Sequence, residues 1–329
     1  MQYLVDIVLL GLLMITGFAI VRMRNLLAVT MLTSIYSLFS ALLFVVLDAV
    51  DVALTEAAIG AGISTILMLA TVALTTEHEP VPGHRPLLPL LVVTLTGAAL
   101  IYGTLDMPHY GDPNAPVHRH IAPEYIEDTP EEVGVPNVVT SVLASYRGYD
   151  TLGEVTVIFT AGVGVLALLG VHLRKRTEQP YDYKMLVVLR VIAKLLFPLI
   201  LLFALYVLFH GDYGPGGGFQ AGVIFATGFV LYALTHGLGN AERVIPPALL
   251  GILAAAGVLL YAAVGIEGML LGGKFLEYNV LADDPVSGQH LGILLIETGV
   301  GITVAAVILI IYFGFVSRRP VQPDEQDSA

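Results

Sequence analysis

The stretch His210-Gly211-Asp212-Tyr213-Gly214-Pro215-Gly216-Gly217-Gly218-Phe219-Gln220-Ala221-Gly222 separates two strongly apolar runs. It joins titratable side chains to backbone that can leave regular geometry. In an apolar solvent the N–H and C=O groups freed by such a break need partners, so irregular backbone at membrane depth survives only where it is buried in protein or lines water. The chemistry this permits is ion binding or proton transfer. Pro215 suits the first turn of a following helix, and Gly218 with Gly222 offers a small face against a neighbouring helix. Pure helix packing is the competing explanation of these glycines.

Glu56, Glu154, Lys194 and Glu297 also fall inside apolar runs. Each costs roughly 2.5–3.5 kcal/mol at a helix centre on insertion scales, so its presence calls for a partner or a purpose. Lys194 is the deepest, about 12 Å past Leu186 at 1.5 Å per residue. Arg190, one turn nearer the end, snorkels. Lys194 either fixes packing by pairing with a carboxylate or passes protons. Small residues follow each glutamate, as in Ala57, Gly60 and Gly62, then Ala161, Gly162 and Gly164, then Gly299 and Gly301. They let helices approach closely or leave room for water; the alternative is a set of glutamates merely hydrated near span ends. His210, Asp212, His236 and His290 stand at span ends, where histidine suits proton handoff or is simply polar.

Composition fixes the solvent. Hydrophobic residues make up 56% and charged residues 13% of the chain, against about 25% charged in soluble domains. Mean hydropathy is +0.83. The absence of cysteine excludes disulfides, thiolate zinc sites and cysteine-ligated clusters within the chain. A net charge of −12 argues against a nucleic-acid partner. Met1 to Asp6 carries no positive leader, so the first apolar run reads as a retained span.

Apolar runs of about 20 residues fall at 3–21, 26–47, 52–74, 87–105, 151–173, 186–209, 217–237, 245–265 and 291–315. Positive connections stay cytoplasmic. With the N-terminus outside, the inner side holds Arg22, Arg24, Arg85, Arg174, Lys175, Arg176, Lys184, Arg243, Arg318 and Arg319, and the outer side only Arg119, Arg147 and Lys274. Tyr3, Tyr102, Tyr181, Tyr183 and Tyr312 serve as interface anchors in place of tryptophan. The connection 106–150 is proline-rich and acidic, which predicts an extended outer loop. Apolar residues at 135, 138, 139, 142, 143 and 146 predict a short amphipathic helix on the outer surface, ending near Gly148. The tail 316–329 reads as disordered.

The string Pro215 to Gly222, following a span that ends in His210, resembles the signature of the B subunit of Mrp-type multisubunit sodium/proton antiporters and its counterpart in membrane-bound hydrogenases. Asp51-Val52-Ala53-Leu54-Thr55-Glu56-Ala57-Ala58-Ile59-Gly60-Ala61-Gly62 resembles the three-span module at the C-terminal end of the antiporter's large A subunit. Asn137-Val138-Val139-Thr140 with Tyr146-Arg147-Gly148-Tyr149-Asp150-Thr151-Leu152-Gly153-Glu154 resembles the two-span module that follows it. The chain therefore reads as three fused modules, 1–80, 81–178 and 179–315, followed by the tail. The resemblance implies a protein working beside other membrane subunits in the bilayer, with Glu56 and Glu154 on acidic positions associated with cation or proton passage. One departure concerns Asp212, which stands where the family string has a histidine. An aspartate binds a hard cation better and relays protons less well near neutral pH.

These observations predict an all-α integral membrane protein of nine spans with a broken, glycine-rich helix start. Glu56, Glu154, Lys194 and Glu297 form the expected relay, with no cofactor in this chain and Na+ or H+ as the transported ion. The expected place is the inner (plasma) membrane, with the C-terminus cytoplasmic. Sodium/proton exchange is the first reading. A redox-driven membrane arm and a structural spacer are the alternatives.

Overall fold

A computed structural model describes residues 2–79, 87–169 and 187–318. Arg85, Arg174, Lys175, Arg176, Lys184, Arg319, Tyr181, Tyr183, the breaks near 80 and 178, and the tail from 319 lie outside the described residues.

Among the described residues nine helices are long and apolar enough to cross a membrane, and the chain is a multi-pass membrane protein. They are α1 (Gln2–Arg22), α2 (Leu26–Val46), α3 (Val50–Val72), α4 (Leu87–Thr104), α5 (Gly148–Leu169), α6 (Val187–His210), α7 (Gly218–His236), α8 (Pro247–Leu270) and α9 (Pro285–Val316). All nine spans expected from hydropathy are present. The last begins six residues earlier than its apolar run, because Asp284 caps it: its side chain accepts from Ser287 N at 2.9 Å, with Pro285 in the first turn. The Ser287 hydroxyl, donating at 2.7 Å, and then the Ser287 amide hold the exposed Asp284 carboxyl below the usual range.

α9 is the central helix, wrapped by α5, α7 and α8, while α6 packs on α7. Helices α1, α2 and α3 form a second group that reaches the centre through α3. α4 buries none of its residues against the rest of the chain. Lipid tails are as apolar as leucine, so close packing and interhelical hydrogen bonds must hold such helices together. The α8–α9 crossing shows both. A Cβ on Gly299 would stand 2.7 Å from the Gly257 carbonyl, and Thr303 Oγ1 donates to Ala254 O at 3.2 Å. Ile293, Ile296 and Leu309 are sealed in the same centre.

One expectation about the long connection before α5 needs correction. It is not simply extended: helices cover Pro116–Arg119 and Ile121–Glu132. The segment 138–146 is helical, an α-turn Val138–Thr140 running into a π-helix Ser141–Tyr146, but it turns its small and polar face inward. Thr140, Ser141 and Ala144 are buried while Val139 and Leu143 are exposed. The reason is that this face carries the hydrogen-bonding groups other segments need. Ala144 O takes the Tyr278 hydroxyl at 3.0 Å, and Gly148 O takes the Tyr261 hydroxyl at 2.8 Å. Tyr146 donates to Glu132 at 2.7 Å. Burial first, then that hydrogen bond, push the Tyr146 phenol up to about 12, so it remains a donor.

The helix ends sort into two sets. The start of α1, the α2–α3 turn, 105–147, 211–217 and 271–284 share one end of the bundle, and Asn137 N donates to Asp212 O across it at 3.0 Å. At the other end Asn25 and His78 form an isolated antiparallel bridge between the α1–α2 turn and the residues after α3.

Gly257→Leu should push against the Thr303 hydroxyl and the Gly299 carbonyl, costing about 1–3 kcal/mol through overpacking. Thermal unfolding of the purified chain in detergent should show the loss. Gly251→Leu, whose added Cβ meets nothing within 4 Å, should leave the midpoint unchanged.

Candidate functional site

The break between α6 and α7 is where the candidate residues converge. After His210 the chain folds back on the last turn of α6: Tyr213 N and Gly214 N donate to His210 O, and Gly217 N donates to Val207 O at 3.1 Å. Gly217 then takes φ +123, left-handed territory that only glycine enters freely. Gly218 opens α7, and its amide, one of the orphan donors at a helix start, donates to Glu297 Oε2 of α9. No Cβ fits at Gly218, because it would collide with the Glu297 backbone. The positive end of the α7 dipole therefore faces a carboxylate held deep in the bundle.

The remaining groups of the break are met from three other segments. Asn137 Nδ2 donates to Gly211 O at 3.1 Å and Gly214 O at 3.0 Å, and Thr140 Oγ1 donates to Gly211 O at 2.7 Å. Asp51 Oδ1 of α3 accepts from Gly216 N at 3.3 Å and from Asn137 at 3.4 Å. Gln220 Nε2 donates to Thr55 Oγ1 at 2.7 Å, tying α7 to α3 beside Glu56. Asp212 Oδ2 pairs with His290 Nδ1 of α9 at 2.9 Å. An imidazole from α9 thus reaches the aspartate within the break.

Each candidate residue has a definite place. Glu297, Asp212, Gly216, Gly217 and Gly218 lie at the junction, and the charges of Asp212, Glu154 and Asp51 all reach Glu297. Pro215 is exposed at its rim. Gly222 faces α9, where an added Cβ would stand 2.7 Å from Gly301 O. Glu56 folds back over Gly60 beside Ser37, since a Cβ on Gly60 would be 2.6 Å from Glu56 Oε1. The α-helix gives way at that point to the π-helix Ala57–Ile63, a feature frequent at functional sites. Glu154 is on the exposed face of α5. His210 stacks on Tyr206 with centroids 4.9 Å apart, on the outer flank of α6.

Lys194 does not lie at this junction. It lies about 20 Å further along α6 from the Val207–Gly217 bond at 1.5 Å per residue, exposed, in the electrostatic reach of His236 together with Arg190. Arg190, one turn nearer that end of α6, donates its Nε to Thr235 O near the end of α7 at 3.4 Å. Sequence reasoning missed Asp51, Asn137, Thr140 and Gln220 as members of the junction. Asn137 carried a signal, following Pro136 at a helix start, where its side chain caps Val139 N at 3.0 Å.

Three family descriptions match the chain in series. Residues 11–77 match the D subunit of MBH, 92–179 match the E subunit of MBH, and 188–310 match the domain related to the MnhB subunit of Na+/H+ antiporters. A Staphylococcus aureus protein named as antiporter subunit mnhB2 is 37% identical over 138 residues, covering 40% of this chain and 96% of that protein. A Rhizobium meliloti protein named as the A/B subunit of a K+/H+ antiporter is 27% identical over 308 residues, covering 83% of this chain and 30% of that one. The solved Mrp complex from Dietzia sp. contains a chain that superposes with TM-score 0.77 at 29% identity, over 96% of this chain and 35% of that chain. A chain of the membrane-bound sulfane sulfur reductase, an archaeal respiratory membrane complex, superposes with TM-score 0.55 at 34% identity, over 69% of this chain and 96% of that chain. The chain thus spans about a third of the length of the Rhizobium and Dietzia relatives.

Asn137→Ala removes the side-chain donor from the Gly211 and Gly214 carbonyls, and an unsatisfied buried acceptor costs about 1–3 kcal/mol. Hydrogen exchange of the amides from 211 to 217 should speed up accordingly. Val139→Ala, on the exposed side of the same turn, should leave it unchanged.

Proposed function

We propose, because the chain belongs to the family related to the MnhB subunit of Na+/H+ antiporters, that it is an integral membrane subunit of a multisubunit cation/proton antiporter and supplies part of its ion or proton path. The observation that carries this reading is the Glu297 carboxylate on the first amide of α7, reached by the charges of Asp212 and Asp51. Glu297 can exchange its amide partner for a proton or a cation. Asp212 with His290 offers a hydrogen-bonded carboxylate–imidazole pair at the outer entrance, and Asp51 offers oxygens to a hard cation. Na+ or K+ and H+ are the proposed cargo, and other membrane subunits are the proposed partners. The exposed faces of α4 and α5, including Glu154, are where such neighbours fit, since an ionisable group in a span faces protein or water rather than lipid.

The proposed orientation puts the carboxylate-rich end outside, with the N-terminus, and the end bearing Arg22, Arg24 and Arg243 in the cytoplasm. A second reading, a membrane arm driven by a redox enzyme, draws support from the likeness to the sulfane sulfur reductase chain over 96% of that chain's length. The same junction then serves a pump instead of an exchanger.

In the assembled complex in proteoliposomes, Glu297→Gln and Asp212→Asn should each lower cation-driven proton movement at least about tenfold, roughly 1.4 kcal/mol in the barrier. Unchanged flux in both, with the complex intact, would leave only a structural spacer. Single cysteines placed at Asp128 and Arg243, in a chain with no cysteine of its own, should label from outside and inside respectively. Labelling of both from one side would overturn the orientation.

A further inference from the structure

Asp6, in the second turn of α1, is only 8% exposed, and its Oδ1 has no hydrogen-bond partner. A buried carboxylate oxygen without a donor is disfavoured unless a proton or a cation compensates it. Asp6 lines a cavity of about 740 Å³ between the start of α1 and the segment 107–118, with Tyr3, His109, Asp112 and His118 also on its wall. Neither lysine nor arginine is among the described residues lining it. Arg119, the nearest cation in sequence, donates to Asn114. The usual protein partners of a buried carboxylate are therefore missing from this wall.

We propose that this cavity is a binding site for a hard monovalent cation, Na+ or K+, with Asp6 as its anionic ligand and Asp112 as the second acidic group. Hard cations take oxygen ligands and retain water, and a cavity of this volume holds a partly hydrated ion. Imidazoles such as His109 and His118 suit transition metals better. The carboxylate oxygens of Asp6 and Asp112 suit a hard alkali ion instead. The site shares the outer end of the bundle with Asp51 and Asp212 but lies on α1, outside the junction. The acidic segments around it, with Asp106, Glu124, Glu127 and Asp128, raise the local concentration of cations. As an outer loading site it rests on the cation-transport reading above; as a binding site it is measured without any flux.

The test is thermal unfolding of the purified full chain in lipid nanodiscs, at constant ionic strength, in NaCl, KCl or choline chloride. An ion that binds only the folded state raises stability in a saturable way, so NaCl or KCl should raise the midpoint above choline. Asp6→Asn should weaken that ion dependence at least tenfold, and Asp128→Asn, outside the cavity, should keep it. Should Asp6→Asn fail to fold, sodium-NMR relaxation on the wild-type chain and on Asp112→Asn decides: line broadening that K+ competes away and that falls in the variant supports the site. Equal midpoints in all three salts, an unaltered ion dependence in Asp6→Asn, broadening unchanged in Asp112→Asn, or stabilisation by zinc alone would overturn it. Any of these leaves the junction reading standing, because Glu297→Gln flux is a separate measurement.

Discussion

The structure depends on one constraint: a membrane interior offers no water to an opened backbone, so every group freed between α6 and α7 must be met by protein. Four segments answer it. Val207 of α6 takes the Gly217 amide, Asn137 and Thr140 take the carbonyls of Gly211 and Gly214, Asp51 takes the Gly216 amide, and Glu297 takes the Gly218 amide. The two groups of helices and the connection before α5 are therefore joined through polar contacts at one level. That connection contributes Asn137, the first helical group contributes Asp51, and the central bundle contributes Glu297. The same requirement explains why segment 138–146 turns its polar face inward against what amphipathicity alone implies.

The second organising feature is the separation of charge between the two ends. Carboxylates lie at the end of the bundle that holds the start of α1, the α2–α3 turn and the α6–α7 break, while Arg190 and Lys194 stand near His236 at the other end of α6 and α7. This arrangement also separates two residues that the sequence alone grouped. Lys194 is exposed on α6, whereas Glu297 lies at the α6–α7 junction on the Gly218 amide.

What was legible in the sequence follows from the range of each interaction. Hydropathy is local, and it found all nine spans to within a few residues at most ends. The α9 start was misplaced because Ser287, Gln289 and His290 interrupt the apolar run, although the Asp284-Pro285 cap marks the true beginning. The depth of Lys194 along its helix could be read from residue spacing. Its direction around the helix could not, because α6 is apolar on nearly every side and gives no amphipathic stripe from which to infer a facing partner. The partners of the break lie far away in sequence, 71 to 77 residues for the Asn137 and Thr140 bonds and 165 for Asp51. Motif spacing therefore announced a site without naming the residues that complete it.

For the glycines, the geometry shows close packing that also sets the place of the Glu297 carboxylate. Gly222 lets α7 lie against Gly301 and Val304 of α9. That closeness, together with the absent Cβ at Gly218, brings the Glu297 carboxylate onto the first amide of α7. A side chain at either position would push α9 away and leave the amide without an acceptor and the carboxylate without a donor. The left-handed turn at Gly217 aims the amide where it is needed. The small residues are required for packing because the charge has to reach the helix end. Any substitution that preserves helix contact but lifts Glu297 off Gly218 separates the two effects, and it should disturb ion handling before it disturbs folding.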